Sequence, residues 1–459
     1  MKIPDLHTVK KIYFLGIGGI GMSALARYFQ FIGKEVCGYD KTTTKLTDKL
    51  VQEGMKICFE DNHEILPSDI DLVIYTPAIP KNNAQYKYFV ENEVPMIKRS
   101  AVLGLISSEY KLLAVAGTHG KTTTSCLLTH LLESSHIDCT AFLGGISENL
   151  NSNFILGKSE WMVAEADEYD RSFLTLSPYY SIITSVDADH LDIYGTEASM
   201  QESFIAFAKQ VKPEGKVFIK SGLSIEKTLI SDKVQIITYG IDQGQVFATN
   251  VQLKDGHFCF DYVGLDVELK DLTMALPGRH NIENAVAAIS VALMTGVNSD
   301  VIQAALSSFK GIKRRFEFIK HGKTVYIDDY AHHPSELNAA IQTTRELFPD
   351  RKILGIFQPH LFSRTQDFAT AFAKELDQLD EIWLMEIYPA REESIPGINS
   401  TFLLKLMESD TKFLFTRSEI FEKLKQTDAS VVITLGAGDI DNTVSTIFEI
   451  LKNKDNETI

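Results

Sequence analysis

The strongest constraint on this chain is a junction near residue 117. An apolar run at 112–116 leads into Gly117-Thr118-His119-Gly120-Lys121-Thr122-Thr123-Thr124, and residues 123–133 then read as a helix. Strand, glycine loop and helix in that order make a cradle for phosphate. Glycines at 117 and 120 let backbone N–H groups turn toward phosphate oxygens. The helix start adds the positive end of its dipole. Lys121 can reach the terminal phosphates, and the Thr122 hydroxyl can hold Mg2+. The full P-loop pattern has another glycine five residues before Gly120, where Val115 stands here. The loop is a shortened variant, and alone it says that ATP or GTP phosphates are bound.

Apolar runs at 11–15, 71–75, 112–116, 161–164, 181–184, 352–357, 381–386 and 430–435 alternate with helix-like stretches. That pattern predicts an α/β fold with mostly parallel sheets and ligands at the carboxyl ends of the strands. A chain of 459 residues has room for roughly two to four domains. Strand-to-glycine transitions at Gly16 and Gly117 each look like the first strand of a domain. A third set of strands begins near Val325, after Lys313-Arg314-Arg315. The expected domains are therefore 1–108, 109–312 and 313–459. Alternating patches within 216–268, such as His257-Phe258-Cys259-Phe260-Asp261-Tyr262, predict a small antiparallel element inside the middle domain.

A formal net charge of −16 argues against nucleic acid or an anionic membrane as partner, so an anionic ligand needs a local basic site. No apolar run approaches the length of a membrane span. The run at 12–20 is full of glycine and reads as a strand entering a loop rather than a signal peptide. Cys37, Cys58, Cys126, Cys139 and Cys259 are scattered and lack C-x-x-C spacing. This argues against disulfides or a thiolate zinc site and fits a reducing cytoplasm.

Other polar clusters follow strands. Glu165-Ala166-Asp167-Glu168-Tyr169-Asp170 could put carboxylates on Mg2+, or form a solvated loop. Asp187-Ala188-Asp189-His190-Leu191-Asp192 packs its donors too closely for zinc. One imidazole on a second Mg2+ or Mn2+ is reasonable chemistry; a hydrogen-bonded histidine is the alternative. Gly16-Ile17-Gly18-Gly19-Ile20-Gly21, with Asp40 ending the next strand, suits a dinucleotide or any other diphosphate, including a nucleotide sugar. Gly278-Arg279-His280-Asn281-Ile282-Glu283-Asn284 opens an Ala-rich helix with His280 and Asn284 on one face. These could bind a base or simply cap the helix. Asp328-Asp329-Tyr330-Ala331-His332-His333-Pro334 and Gln358-Pro359-His360-Leu361-Phe362-Ser363-Arg364-Thr365 place polar groups at two later strand ends. Arg364 could neutralise a carboxylate or developing phosphoryl charge, and His332 could orient an amine or accept a proton.

In order and spacing, five of these segments resemble the Mur ligase family along nearly the whole chain. They are Gly-Thr-His-Gly-Lys-Thr-Thr (117–123), Glu-Ala-Asp-Glu (165–168), Asp-His-Leu-Asp-Ile-Tyr (189–194), Gly-x-His-Asn-x-x-Asn-Ala (278–285) and Asp-Asp-Tyr-Ala-His-His-Pro (328–334). Met22-Ser23, His119, Tyr388-Pro389-Ala390-Arg391-Glu392 and Gly436-Ala437-Gly438-Asp439-Ile440 point to the member that adds the first amino acid. The resemblance implies a Rossmann-like N-terminal domain for a UDP-sugar, a central P-loop ATPase-like domain, and a Rossmann-like C-terminal domain that helps close the site. It implies ATP contacts from Gly117, Thr118, His119, Gly120, Lys121, Thr122, Thr123 and Arg315, with His280 and Asn284 near adenine. It implies Thr122 with Glu165 on one Mg2+ and His190 on a second Mg2+ or Mn2+. Gly18, Gly19, Ile20, Gly21, Asp40 and Thr76 would hold the UDP-sugar, and Tyr330, His332 and Arg364 would lie near the amino acid. The family's Pro-His-Arg-Tyr-Ser-Arg reads Pro-His-Leu-Phe-Ser-Arg here, so Leu361 replaces an arginine and leaves Arg364 to act alone.

The implied reaction joins L-alanine to the lactyl carboxylate of UDP-N-acetylmuramate through an acyl phosphate, with Lys121, His332 and Arg364 as the catalytic set. A monomer or homodimer is expected. Three other readings compete: a relative that attaches a tripeptide to the same UDP-sugar, a nicotinamide-dependent oxidoreductase using the Gly16–Gly21 loop, and a non-catalytic nucleotide-binding module, against which the number of charged strand-end clusters argues. The second leaves Lys121, Thr122 and Glu165 without a task.

Overall fold

The computed structural model describes residues 5–457 apart from Lys233 and Arg391. It falls into two compact units. The first holds residues up to 251 with 260–273 and 282–310; the second holds 252–259, 274–281 and the chain from 311 onward. Three sheets organise them, as the α/β reading with three domains requires.

The first sheet has the order Lys56–Cys58, Glu35–Tyr39, Lys11–Leu15, Leu72–Tyr75, Met96–Lys98, with every pairing parallel. Its central strands are apolar throughout because helices cover both faces. The chain order reverses beside Lys11–Leu15, so a ligand crevice opens where Gly16–Gly21 follows that strand.

The second sheet has ten strands. At its heart Lys111–Ala116 lies parallel between Trp161–Glu165 and Tyr180–Ile183. Val115 pairs with Glu165 and Ala116 with Ile183, so three strands end side by side. Toward one edge come Val246–Lys254, His257–Gly264 and Val267–Met274 as successive neighbours, joined by two-residue turns that require antiparallel pairing. Both turns have positive φ at both central residues, Asp255-Gly256 and Leu265-Asp266, the geometry that suits tight hairpins. The antiparallel element expected within 216–268 is thus present but occupies 246–274, while the strands Lys216–Lys220 and Ile236–Ile241 before it pair in parallel.

The glycine-loop helix, Ile20–Phe31, packs on the central sheet through Tyr28, Phe142 and Phe154, whose rings lie 5.0–6.1 Å apart. Beside them Arg27 is almost fully buried. It donates to Glu53 at 2.8 and 3.0 Å and to the Asn153 amide oxygen. Asn153 in turn donates to Ile20 O at 2.6 Å and lies 3.0 Å from Ser23 Oγ.

In the second unit a six-stranded sheet has the order Glu317–Lys320, Val325–Asp329, Val431–Leu435, Ile353–Phe357, Glu381–Leu384, Lys412–Leu414. It is parallel except for the edge strand Glu317–Lys320. The third set of strands thus begins before Val325; Glu317-Phe318-Ile319-Lys320 carries charged ends and is too short to stand out by pattern. Among the described residues no helix is long and apolar enough to cross a membrane. None of the five cysteines forms a disulfide.

Arg27→Ala should cost about 2–3 kcal/mol in denaturant unfolding, because Glu53 and Asn153 lose a buried donor. A loss under about 0.5 kcal/mol would show that the aromatic contacts alone hold the two sheets together.

Candidate active site

The loop after Lys111–Ala116 is shaped by two glycines with positive φ, Gly117 at 133° and Gly120 at 80°. A side chain at Gly117 would run into the Thr184 hydroxyl, and one at Gly120 would come within 2.8 Å of the Asn284 amide oxygen. The helix Lys121–Ser134 starts directly after Gly120. Ser185 braces the loop. Its carbonyl accepts from Thr118 N–H at 3.3 Å, and its hydroxyl accepts from His119 N–H at 2.8 Å. Two N–H groups expected to face phosphate are therefore spent on Ser185. The donors left for phosphate are those of the helix start, whose first-turn N–H groups have no partner within the helix. His119 lies 3.4 Å from Asp187.

The acidic segment that ends Trp161–Glu165 meets this loop at two points. Thr122 Oγ1 donates to Glu165 Oε2 at 2.9 Å. The Lys121 ammonium donates to both Glu168 oxygens, at 2.9 and 2.8 Å, and to Gly117 O at 2.6 Å. Burial opposes the Lys121 charge, but Glu168, Glu165 and Asp167 outweigh it and raise its pKa above that of ordinary lysine. His190, in the left-handed region at φ 52°, stands 3.8 Å from Glu168 and 3.7 Å from Asp189.

The hydroxyl of Thr122 and the carboxylate of Glu165 form an oxygen pair at a helix start, which suits Mg2+ beside phosphates and water. Among the described residues no three His, Cys, Asp or Glu form a metal-holding group. An ion there would need oxygens from a bound nucleotide or water to complete its shell.

Gly18, Gly19, Ile20, Gly21, Asp40 and Thr76 all line one cavity of about 560 Å3. Asp40 accepts from Gly18 N–H at 2.8 Å. The same cavity is also lined by Arg99, Asp167 and Glu165. Arg99 pairs with Asp167 at 3.0 Å, and a side chain at Gly21 would come within 2.6 Å of the guanidinium. Gly144 has a similar role: a Cβ there would overlap the Glu165 carboxylate.

The helix Arg279–Met294 carries His280 and Asn284 one turn apart. Asn284 reaches the phosphate loop beside Gly120, whereas His280 folds over Gly278, whose Cβ would lie 2.6 Å from His280 Cε1.

In the second unit Tyr330 and His332 follow the strand Val325–Asp329, Arg315 precedes the strand Glu317–Lys320, and Arg364 lies in the first turn of the helix Phe362–Leu376. Arg315 stands 5.1 Å from the Tyr330 ring centre and 3.6 Å from Glu336. His332 Nδ1 lies 2.9 Å from Tyr330 O and 3.2 Å from Glu336. Two acceptors facing Nδ1 place a proton on that nitrogen. Buried Arg364 is 3.5 Å from His360, which stacks on Tyr388 at 5.8 Å. Leu361 is buried at φ 69°, a strained setting for leucine, and it places no charge beside Arg364. Asp329 accepts from Phe316 and Ala331 N–H at 2.7 Å each, and burial pushes its pKa up to about 6. Arg391 lies outside the described residues.

Three family models match in sequence order: the Mur ligase family catalytic domain at 11–111, the Mur ligase middle domain at 115–292, and the Mur ligase glutamate ligase domain at 314–438. A Flavobacterium psychrophilum protein named UDP-N-acetylmuramate–L-alanine ligase is 50% identical over 456 residues, 98% of this chain and 100% of its own length. The chain belongs to the Mur ligase family. Among solved structures, the Thermotoga maritima UDP-N-acetylmuramate–alanine ligase superposes with TM-score 0.83 at 28% identity, covering 96% of this chain and 99% of its own. A murein peptide ligase from Psychrobacter arcticus shares the fold, with TM-score 0.72 at 23% identity and coverage of 97% and 99%.

The expected site residues of this Mur ligase fall into local groups: the phosphate loop with Thr122, Glu165 and Asn284; the glycine-loop cavity; and the polar cluster around Tyr330. Sequence reasoning missed Ser185, Arg99, Gly144 and Glu336. Ser185 and Arg99 stand one or two residues beyond a strand, Glu336 in the first turn of a helix and Gly144 inside the strand Thr140–Ser147, positions that become meaningful once the strand neighbours are known.

Gly144→Ala should push Glu165 away from Thr122 while changing global stability by less than about 1 kcal/mol. A crystal structure of the variant that keeps the 2.9 Å Thr122–Glu165 contact would contradict this role for the glycine.

Proposed function

We propose that this chain is an ATP-dependent ligase that joins L-alanine to the lactyl carboxylate of UDP-N-acetylmuramate in peptidoglycan precursor synthesis. One observation carries the reading: Glu165 both lines the glycine-loop cavity and accepts from Thr122 of the phosphate loop. A diphosphate sugar seated on Gly18–Gly21 points its far end toward Glu165, where a nucleotide's terminal phosphate would lie. That juxtaposition serves transfer of phosphate to a carboxylate. It serves neither a nicotinamide cofactor, which would leave Lys121 unused, nor a water-directed ATPase.

A carboxylate is a poor acylating agent at neutral pH. In the first step a lactyl oxygen attacks the γ-phosphorus, the bond to ADP breaks, and an acyl phosphate forms. In the second the L-alanine nitrogen attacks the acyl carbon, loses a proton and expels inorganic phosphate. Lys121 would hold the transferring phosphate, and the helix start would donate to its oxygens. Arg99 and the glycine loop would orient the sugar end. Mg2+ held by Thr122 and Glu165 would supply charge neutralisation at the phosphates; His190 is the residue for a second ion. His332 Nε2 is suited to take the amine proton, and Arg364 to pair with the amino acid's carboxylate. Asn284 and His280 are assigned to adenine and Arg315 to the phosphates. We assign 1–108 to the UDP-sugar, 109–312 to ATP and 313–459 to the amino acid. Cysteines outside any disulfide and the need for ATP suit the cytoplasm.

Purified protein with ATP and UDP-N-acetylmuramate should release phosphate only when L-alanine is added, and not with a tripeptide in its place. The opposite preference would favour the tripeptide-attaching relative. Lys121→Ala should lower this release by about 10^3-fold with the fold intact by circular dichroism. Full L-alanine-dependent ADP release by that variant would remove the loop from the mechanism.

A further inference from the structure

Lys121 is expected to meet the terminal phosphates, yet in this structure its ammonium is fully engaged elsewhere. Both Glu168 oxygens accept from it at 2.8–2.9 Å, and Gly117 O accepts at 2.6 Å. Glu168 is 1% exposed, so its charge is not relieved by water. Its backbone is held firmly. The Glu168 carbonyl accepts from the Tyr194 hydroxyl at 2.6 Å and from Arg171 N–H at 2.9 Å. The next turn is fixed by two left-handed residues, Asp170 and Arg171, both at φ 53°. A carboxylate pinned in this way is a stand-in for phosphate. Two anions cannot share one ammonium at full strength, so nucleotide binding must draw Lys121 away from Glu168.

We propose that Glu168 is a positioning residue that holds Lys121 beside the Gly117 carbonyl and releases it to the terminal phosphates of the nucleotide, setting the affinity for ATP. This deepens the ligase reading and rests on it for the identity of the nucleotide. The pair keeps the lysine extended along the loop before the nucleotide arrives. It also opposes binding, because an anion must be displaced from its partner inside a buried site. The same carboxylate, once released, remains 3.8 Å from His190 Nε2.

The test is calorimetric binding of ATP alone to wild type, Glu168→Gln and Glu168→Asp, with steady-state phosphate release measured in parallel. Glu168→Gln is expected to bind ATP about five-fold more tightly, since the competing charge is gone, while kcat falls because the lysine is no longer aimed. KM for ATP and kcat should therefore drop together. Glu168→Asp keeps the charge one methylene further back and should bind ATP with intermediate affinity; it also gives the answer if Glu168→Gln does not fold. Unchanged or weaker ATP binding in the folded variants overturns the proposal, and so does a rise in KM for ATP with kcat unchanged. Tighter ATP binding in a chain that releases no phosphate with L-alanine would sustain the pair and remove the ligase assignment. A wild-type chain that binds no ATP would overturn both.

Discussion

The parallel pairing of Lys111–Ala116 with Trp161–Glu165 is the constraint on which the site depends. Val115 lies opposite Glu165, and Ala166 N–H donates to Val115 O at 2.8 Å. The two strands therefore end level, and whatever follows each must share one edge of the sheet. A glycine loop with a lysine follows one strand and an acidic run follows the other. Cation, hydroxyl and carboxylates meet without any long loop to order, so little conformational entropy opposes the arrangement. A register slip would carry Glu165 and Glu168 out of reach of Thr122 and Lys121 together.

A chain with a net charge of −16 that binds highly charged anions must solve an electrostatic problem. The local solution is to match each important cation with a carboxylate: Lys121 with Glu168, Arg99 with Asp167, Arg315 with Glu336. Each pair keeps a basic group in place without a ligand. Small glycines complete the arrangement. Gly117, Gly120 and Gly144 leave room for Thr184, Asn284 and Glu165, where any side chain would displace a polar group.

Much of this was readable from the chain itself. The strands around Gly16 and Gly117 announce themselves because parallel strands buried on both faces are continuous apolar runs. Glycine followed by lysine and threonine at a helix start has a chemical meaning that needs no structure. The six residues assigned to the diphosphate sugar in the first sheet do line one cavity. What could not be read depends on which strands become neighbours. Arg99 sits at the start of a helix with no motif around it, and only the sheet order brings it against Asp167. Ser185 looks like any residue after a strand, yet it takes two N–H groups that loop chemistry alone would give to phosphate. Glu168 was visible as one carboxylate in an acidic run, but its bond to Lys121 depends on the pairing that brings the two strand ends level.

The central claim is that the cavity on Gly18–Gly21 delivers a carboxylate to the phosphate held at Lys121. Oxygen transfer tests it most directly. UDP-N-acetylmuramate carrying 18O in its lactyl carboxylate is turned over with ATP and L-alanine, and the released phosphate is examined by mass spectrometry. An acyl phosphate predicts one 18O atom in each phosphate released, because the carboxylate oxygen leaves with phosphorus. Phosphate free of 18O, with amide product formed, would contradict the account.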